Sequence, residues 1–413
     1  MDKNGSALLD SWLGGWSAAV AGMAQSFTHL SGAESTAAVS AFPATLPGAT
    51  VWPRFPLETG SPLSPTALLS RVLDLPRWWQ LTTDRRRPAW STPHEVVFEA
   101  PIARLRDFST RRPAGLMPTL VLPPQAGHDS CIVDYSPEQS QMRTIVEAGL
   151  EHALSLDWIG ATHETADSTI EDYLDVVDRA VEHCGGKVNL IGDCQGGWLA
   201  TMYAALAPER VNTLTIAGAP IDFHAGDPVI HETVRMLAPG GDMRFYEGLV
   251  AAGGGVFRGR HMLTGFIMIQ PSDEISRQLE LLLHLDEPAY VERYRAFEDW
   301  FKHTQDIPGG FYLWIVRNLF VENLLVQGGI EIDGAAVDLR RLEMPLNLLA
   351  GAGDHITPPD QVFALADVAS TSPELIRRSI TSGGHLGLFM GREALREHWP
   401  PMLAEVLAHS AAS

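Results

Sequence analysis

The stretch Lys187-Val-Asn-Leu-Ile-Gly-Asp-Cys194-Gln-Gly-Gly-Trp198 decides the fold. A β-branched and apolar run ends at Gly192, small residues follow, and Leu199 to Ala207 has the composition of a helix. A strand, a tight turn and a helix are therefore predicted, with a cysteine at the apex in the pattern glycine-x-nucleophile-x-glycine. The glycines have a steric reason: so sharp a turn leaves no room for Cβ atoms against the neighbouring strand and helix. The Cys194 sulfur would sit at the positive end of the helix, an environment that suits a thiolate. A buried structural cysteine on a Gly-rich turn is the plainer reading of the same residues.

Composition narrows the class. A chain of 413 residues has room for an α/β domain with an insertion. Its 45% hydrophobic and 19% charged content describes a globular protein rather than a disordered one. A net charge of -20 argues against binding nucleic acid or an anionic membrane through bulk electrostatics. Three cysteines, Cys131, Cys184 and Cys194, are too few for a disulfide framework and fit a reducing compartment. Residues 8–27 are apolar, but Asp10 and several Gly and Ser interrupt them, which suits neither a secretory signal nor a membrane span.

Leu9, Trp12, Leu13, Trp16, Val20, Met23 and Phe27 recur at helical spacing and form one stripe. Such a helix packs on its own domain or, on a sharper reading, docks on a partner or an apolar surface. Residues 31–65 have the Ser/Ala/Thr/Pro/Gly composition of a linker, and 66–80 reads as a second helix. Arg85, Arg86 and Arg87 read as a solvated basic face. From Glu95 short apolar runs alternate with helices. Strands are expected at 96–98, 119–122, 153–158, 188–191, 214–217, 346–350 and 376–380, and helices at 138–149, 169–183, 195–207, 361–369 and 392–408. This alternation predicts a mostly parallel, doubly wound sheet.

One interval, Gly218 to Met344, breaks the alternation and is too long for a connecting loop. It carries many aromatics, among them Phe266, Phe297, Trp300 and Phe301. A helical cap inserted over the C-terminal edge of the sheet is expected there, some aromatics forming its own core and others lining an acyl channel. The expected organisation is an N-terminal helix, linker and arm over 1–94, a core over 95–218 and 345–413, and the cap over 219–344.

A nucleophile elbow needs an acid and then a histidine later in the chain, each on a loop after a strand. Leu346-Asn-Leu-Leu-Ala-Gly-Ala-Gly-Asp354 supplies the acid, and Thr381-Ser-Gly-Gly-His385 supplies the base. Singly, Asp354 reads as a turn residue and His385 as one of fifteen histidines; the order Cys194, Asp354, His385 at three strand ends reads as a triad. His385 would take the thiol proton, Asp354 would orient the imidazole, and Cys194 would form a thioester acyl-enzyme. The oxyanion needs two backbone N–H donors. Gln195, after the nucleophile, is one; Ala126, in the loop Pro123-Pro-Gln-Ala-Gly-His128, is the other, with Gln125 as its alternative. His128 is expected to line the pocket and His355 to point elsewhere. No metal constellation or dinucleotide loop is apparent, so no cofactor and no metal are expected.

These motifs resemble the superfamily of poly(3-hydroxyalkanoate) synthases and intracellular poly(3-hydroxybutyrate) depolymerases over roughly residues 115–405. Gly192-Asp-Cys194-Gln-Gly-Gly197, Asn318 to Asn323, Gly334 to Leu339, Gly353 to Pro358 and Gly384-His-Leu-Gly387 are similar to synthase motifs. Asp157-Trp-Ile159, Gly218 to Asp222, Gly387 to Gly391 and the Trp-containing N-terminal helix are similar to depolymerase ones. The Cys-Gln-x-Gly-Trp box also resembles uncharacterised synthase-like proteins. The resemblance implies an α/β-hydrolase fold with a cysteine nucleophile, and the triad residues match it one by one. It implies an intracellular depolymerase or esterase hydrolysing 3-hydroxyacyl esters, with a polymerase of 3-hydroxyacyl-CoA and a non-catalytic granule-binding scaffold as alternatives. Implied partners are a 3-hydroxyacyl ester, polyester or acyl-CoA substrate, a polyester granule surface and a second copy of the chain, with a cytoplasmic location.

Overall fold

Runs such as Val188-Asn-Leu-Ile-Gly-Asp193 and Leu346-Asn-Leu-Leu-Ala-Gly351 are buried at every position, as strands covered by helices on both faces must be. A computed structural model describes residues 71–410, apart from 114, 227 and 270. The stripe from Leu9 to Phe27, the linker over 31–65 and the start of the helix expected at 66–80 lie outside these residues. Eight strands form one sheet. They are β1 Glu95–Ala100, β2 Ala103–Asp107, β3 Thr119–Leu122, β4 Ala153–Trp158, β5 Val188–Asp193, β6 Val211–Ala217, β7 Leu346–Gly351 and β8 Ile376–Thr381. Their order is β1-β2-β4-β3-β5-β6-β7-β8. Strands β3 to β8 run parallel, while β2 is antiparallel to both β1 and β4. This is the mostly parallel, doubly wound α/β-hydrolase fold, with the sharp strand-to-helix turn after β5.

The helices that matter below are α1 Leu75–Thr83, α2 Ile170–His183, α3 Gln195–Leu206, α4 Gly259–Ile269, α5 Pro271–Leu283, α6 Pro288–Phe301, α7 Gly309–Ile315 and α8 Trp399–Ser410. Helix α2 buries Ile170, Tyr173, Leu174, Val177 and Val181 at helical spacing, and the Asp172 carboxylate accepts the Thr169 N–H at 2.7 Å at its start. Helix α3 is buried at every position from Gly196 to Ala205, because the sheet and other helices surround it. Polar groups inside the sheet are paired: Asn189 donates to Ser410 Oγ at 2.7 Å and accepts from Asn212 at 2.8 Å.

Strand β2 is absent from the sequence expectation. Its residues Ala103-Arg-Leu-Arg-Asp107 alternate buried and half-buried, so charge at every second position hides a strand at the antiparallel edge. Arg106 on it donates to Asp157 of β4 at 2.6 and 2.9 Å. At the opposite edge, β8 is only partly covered, and its Arg377 donates to Glu405 at 2.7 Å.

Between β6 and β7 the described chain is mostly helical. Phe311 of α7 stacks on Tyr173 with centroids 3.9 Å apart, and Phe257 stacks on Tyr312 at 3.7 Å, so part of this segment's aromatic content is its own core and its seam with the sheet layer. Arg85 is not on a solvated face: its guanidinium reaches the fully buried Glu298 of α6 at 3.2 Å. Together with Leu81, which packs among Leu281, Leu282 and Leu285, it holds the segment around α1 to α5 and α6.

Backbone proximity at the turn gives a test. A Cβ on Gly196 would land on the Leu122 carbonyl oxygen, whereas one on Gly265, inside α4, meets nothing within 4 Å. Gly196→Ala is therefore expected to cost roughly 3 kcal/mol or more. Gly265→Ala is expected to be neutral or to stabilise by up to about 1 kcal/mol. Urea unfolding midpoints of the two variants measure the contrast.

Candidate active site

Cys194 stands where β5 turns into α3, with φ 51° and ψ -117°. An L-residue reaches that region only under constraint, at a cost of roughly 1–3 kcal/mol. The constraint is visible on both sides. A Cβ on Gly192 would meet Gly197 Cα at 2.5 Å, and one on Gly197 would meet Ala219 Cβ. The Cys194 N–H is held by the Ala217 carbonyl at 2.8 Å, and the Cys194 carbonyl accepts from Gly197 at 2.9 Å. The side chain stays partly exposed and lines a cavity of about 320 Å³.

The acid and base loops are joined edge to edge. Ala352 N–H donates to Thr381 O at 2.9 Å and Gly353 N–H to Gly383 O at 3.2 Å, an approach that a side chain on Gly351 would block. Asp354 is buried. Its Oδ1 accepts the N–H groups of Ile356 and Thr357, both at 2.9 Å, and its Oδ2 accepts His385 Nδ1–H at 2.7 Å. That bond leaves Nε2 as the ring's basic nitrogen. Burial disfavours charge on His385, but the Asp354 carboxylate and the Cys194 thiol outweigh it and hold the imidazole well above its ordinary range. Phe389 supports the ring edge-on at 5.4 Å.

Ala126 lines the same cavity as Cys194. Among the described residues the backbone N–H groups of Ala126 and Gln195 donate to no acceptor. The backbone N–H of Gln125, the alternative, likewise donates to no acceptor among the described residues, but Gln125 does not line the cavity, and its side chain donates to the Tyr173 hydroxyl at 3.0 Å. His128 lines the cavity, as does His355; the latter is exposed at the rim, which corrects the expectation that it points elsewhere. Burial pushes the Cys131 thiol well up and the Cys184 thiol up to about 12, so neither competes as a nucleophile.

The walls come from the inserted helices: Phe266 from α4 and Phe297, Trp300 and Phe301 from α6. His128 packs against Trp300 at 5.1 Å and Phe301 at 5.6 Å, and burial lowers it to about 4, so it is neutral there.

Asp193, beside Cys194, is a group that motif reading passes over as the variable residue of the elbow. It is fully buried; Gln141 donates to one carboxyl oxygen at 3.2 Å, and the other oxygen has no partner among the described residues. Burial pushes it up to about 8 against the opposing pull of Gln141 and His385. It is a neutral acid at pH 7. Among the described residues no three His, Cys, Asp or Glu side chains cluster as a metal would require, and no helix is long and apolar enough to cross a membrane.

Comparison with known proteins adds three findings. A family model described as "Protein of unknown function (DUF3141)" matches residues 103–405. The chain is 28% identical over 318 residues to the poly(3-hydroxyalkanoate) polymerase subunit PhaC of Haloferax mediterranei, covering 75% of this chain and 62% of that one. It is 26% identical over 276 residues to the subunit of the same name from Allochromatium vinosum, covering 65% of this chain and 75% of the other. Among solved structures, a hydrolase from Pseudomonas aeruginosa PA01 aligns with 76% of this chain and 97% of its own at a TM-score of 0.43 and 19% identity.

Asp193 makes stability depend on pH. Its folded pKa, about 8, lies above the ordinary aspartate value of 3.8, so the native state binds a proton that the unfolded state has released between those values. Stability from this group is full at low pH and falls as pH rises from about 4 to 8. Asp193→Asn is expected to unfold at a higher urea concentration than wild type at pH 9, with the difference gone by pH 4. An unchanged gap across that range would contradict the buried, neutral state.

Proposed function

The chain belongs to the DUF3141 family, whose model covers most of it, and we propose that it is a cysteine-nucleophile acyl-transfer enzyme acting on 3-hydroxyacyl esters. One observation carries this reading: the buried His385 imidazole bonds to Asp354 at 2.7 Å and lines one cavity together with the elbow cysteine Cys194. His385 takes the Cys194 proton and the sulfur attacks the ester carbonyl carbon. The N–H groups of Gln195 and Ala126 receive the oxyanion. As it collapses, the C–O bond breaks, His385 returns its proton to the leaving oxygen, and a thioester remains on Cys194. Water, deprotonated by the same imidazole, then attacks that thioester. The acid leaves and the thiol is restored.

With water as acceptor the reaction is that of a depolymerase or esterase. Cys194 is only partly buried and the cavity rim carries the exposed His355, which supports access of water to the acyl-enzyme. A second reading has the hydroxyl of a growing chain as acceptor and coenzyme A as leaving group; the polymerase names of the relatives favour it. In either case residues 219–344 act as a cap over the acyl site, the action is cytoplasmic and polyester granules supply or receive the chain.

The purified protein is to be given 3-hydroxybutyryl-CoA and, separately, amorphous poly(3-hydroxybutyrate) granules. Soluble hydroxy acid from granules is the expected product; coenzyme A release with polymer growth would establish the second reading. Cys194→Ala is expected to abolish turnover, and Asp354→Asn to lower kcat by roughly 10²–10⁴-fold. Full turnover by Cys194→Ala would refute the site.

A further inference from the structure

The charged side chains around the Cys194 cavity are mostly acidic. Among the described residues, with histidine counted neutral, its lining carries the carboxylates of Asp129, Asp273 and Glu274 and one guanidinium, that of Arg277. Glu274 is buried and compensated: it pairs with Arg277 and accepts Lys302 at 2.7 Å. The other two carboxylates form no ion pair among the described residues. Asp129 is buried; its Oδ1 accepts the Cys131 N–H at 3.0 Å, and its Oδ2 lies 3.5 Å from the Gln305 amide nitrogen. Asp273 is exposed, so of the three lining carboxylates it alone is open to solvent.

The negative sign survives a wider boundary. Outside the lining, Glu298 binds Arg277 at 2.7 Å, Lys302 at 2.7 Å and Arg85 at 3.2 Å. With these groups included, three cations face four carboxylates. Asp273 stands in the first turn of α5, and that helix end offsets at most about half a charge. The His385 imidazole has its own counter-charge in Asp354. The whole chain adds a net charge of -20. A cleft of one sign with low-dielectric walls focuses its field and repels a ligand of the same sign. Unpaired charge set against a wrong partner is one of the two ways a protein discriminates. The remaining walls include Phe266, Phe297, Trp300 and Phe301, which suit an uncharged acyl chain.

We propose that this cavity selects against anionic leaving groups, with Asp273 as a specificity-determining residue, so that its substrates are neutral hydroxyacyl esters rather than coenzyme A thioesters. This rests on the reading of Cys194 as acyl acceptor and deepens it by naming the class of leaving group. An interior ester of a polyester, or an alkyl ester, brings no charge to the cavity, whereas an acyl-CoA brings its phosphates. A volume of about 320 Å³ is at the small end of the ligand-site range of roughly 300–1,000 Å³, so the bulk of coenzyme A stays on the solvent side, the side to which Asp273 is open. The bond changes are the same for charged and neutral thioesters. The Cys194 sulfur bonds to the acyl carbon, the bond from that carbon to the leaving sulfur breaks, and the thiol departs with the proton that His385 took. Water then hydrolyses the acyl-enzyme to the hydroxy acid.

The test gives the wild-type protein 3-hydroxybutyryl-pantetheine and 3-hydroxybutyryl-CoA at pH 8 and follows the released thiol by chromatography. The two share the reacting thioester and the pantetheine arm and differ in the phosphorylated nucleotide. The uncharged thioester is expected to have the higher kcat/KM by about tenfold or more at about 20 mM salt. The ratio is expected to shrink severalfold at about 500 mM salt, where charges on the surface are screened. Asp273→Asn is expected to narrow the low-salt ratio by about two- to fivefold. The wild-type comparison stands even if that variant fails to fold. Equal kcat/KM values, or a gap that salt leaves unmoved and that therefore reports size, would overturn this assignment alone. So would an Asp273→Asn effect equal on both substrates. Release of neither thiol, with Cys194 never acylated, would overturn the reading of Cys194 and this inference with it.

Discussion

The geometry of the candidate site depends on one steric fact: the backbone of α3 comes so close to β3 that Gly196 touches the Leu122 carbonyl with nothing between. That contact forces the turn at Cys194 to be sharp, and the sharp turn puts an L-residue at φ 51°. The strain is held by the sheet, through the Cys194 N–H on Ala217, and by the packing of Gly197 on Ala219. The Cys194 side chain is thus held in place by the fold itself, with no ligand needed to position it.

The two buried carboxyl groups near the imidazole show how environment divides roles between like residues. Asp354 accepts three hydrogen bonds, one of them from the His385 ring. Asp193 accepts one, from Gln141, and is held neutral by burial. A second full negative charge beside His385 would compete for the same proton; neutrality at Asp193 leaves the imidazole one carboxylate to answer to.

Much of this was open to reading from the chain. Parallel strands buried on both faces are uninterrupted apolar runs, so β3, β4, β5 and β7 stand out, and the triad candidates are bracketed by glycines because close backbone approach demands them. Strand β2 does not stand out, since Arg104 and Arg106 sit on it and find Glu99 and Asp157 only after folding. The Arg85 pairing with Glu298 spans 213 residues, and no local pattern announces such a partner. The burial of Asp193 and the placing of His355 at the rim are likewise outcomes of tertiary packing, which residue type alone does not encode.

The outer strand β8 has a consequence for the molecule's life among its neighbours. Among the described residues nothing pairs with its free side, and Ile380 there is half exposed. An unguarded parallel strand of this length would invite foreign chains to extend the sheet. Arg377 and Arg378 stand in that row, tied to Glu405 and Asp367. Their charges act as gatekeepers against aggregation.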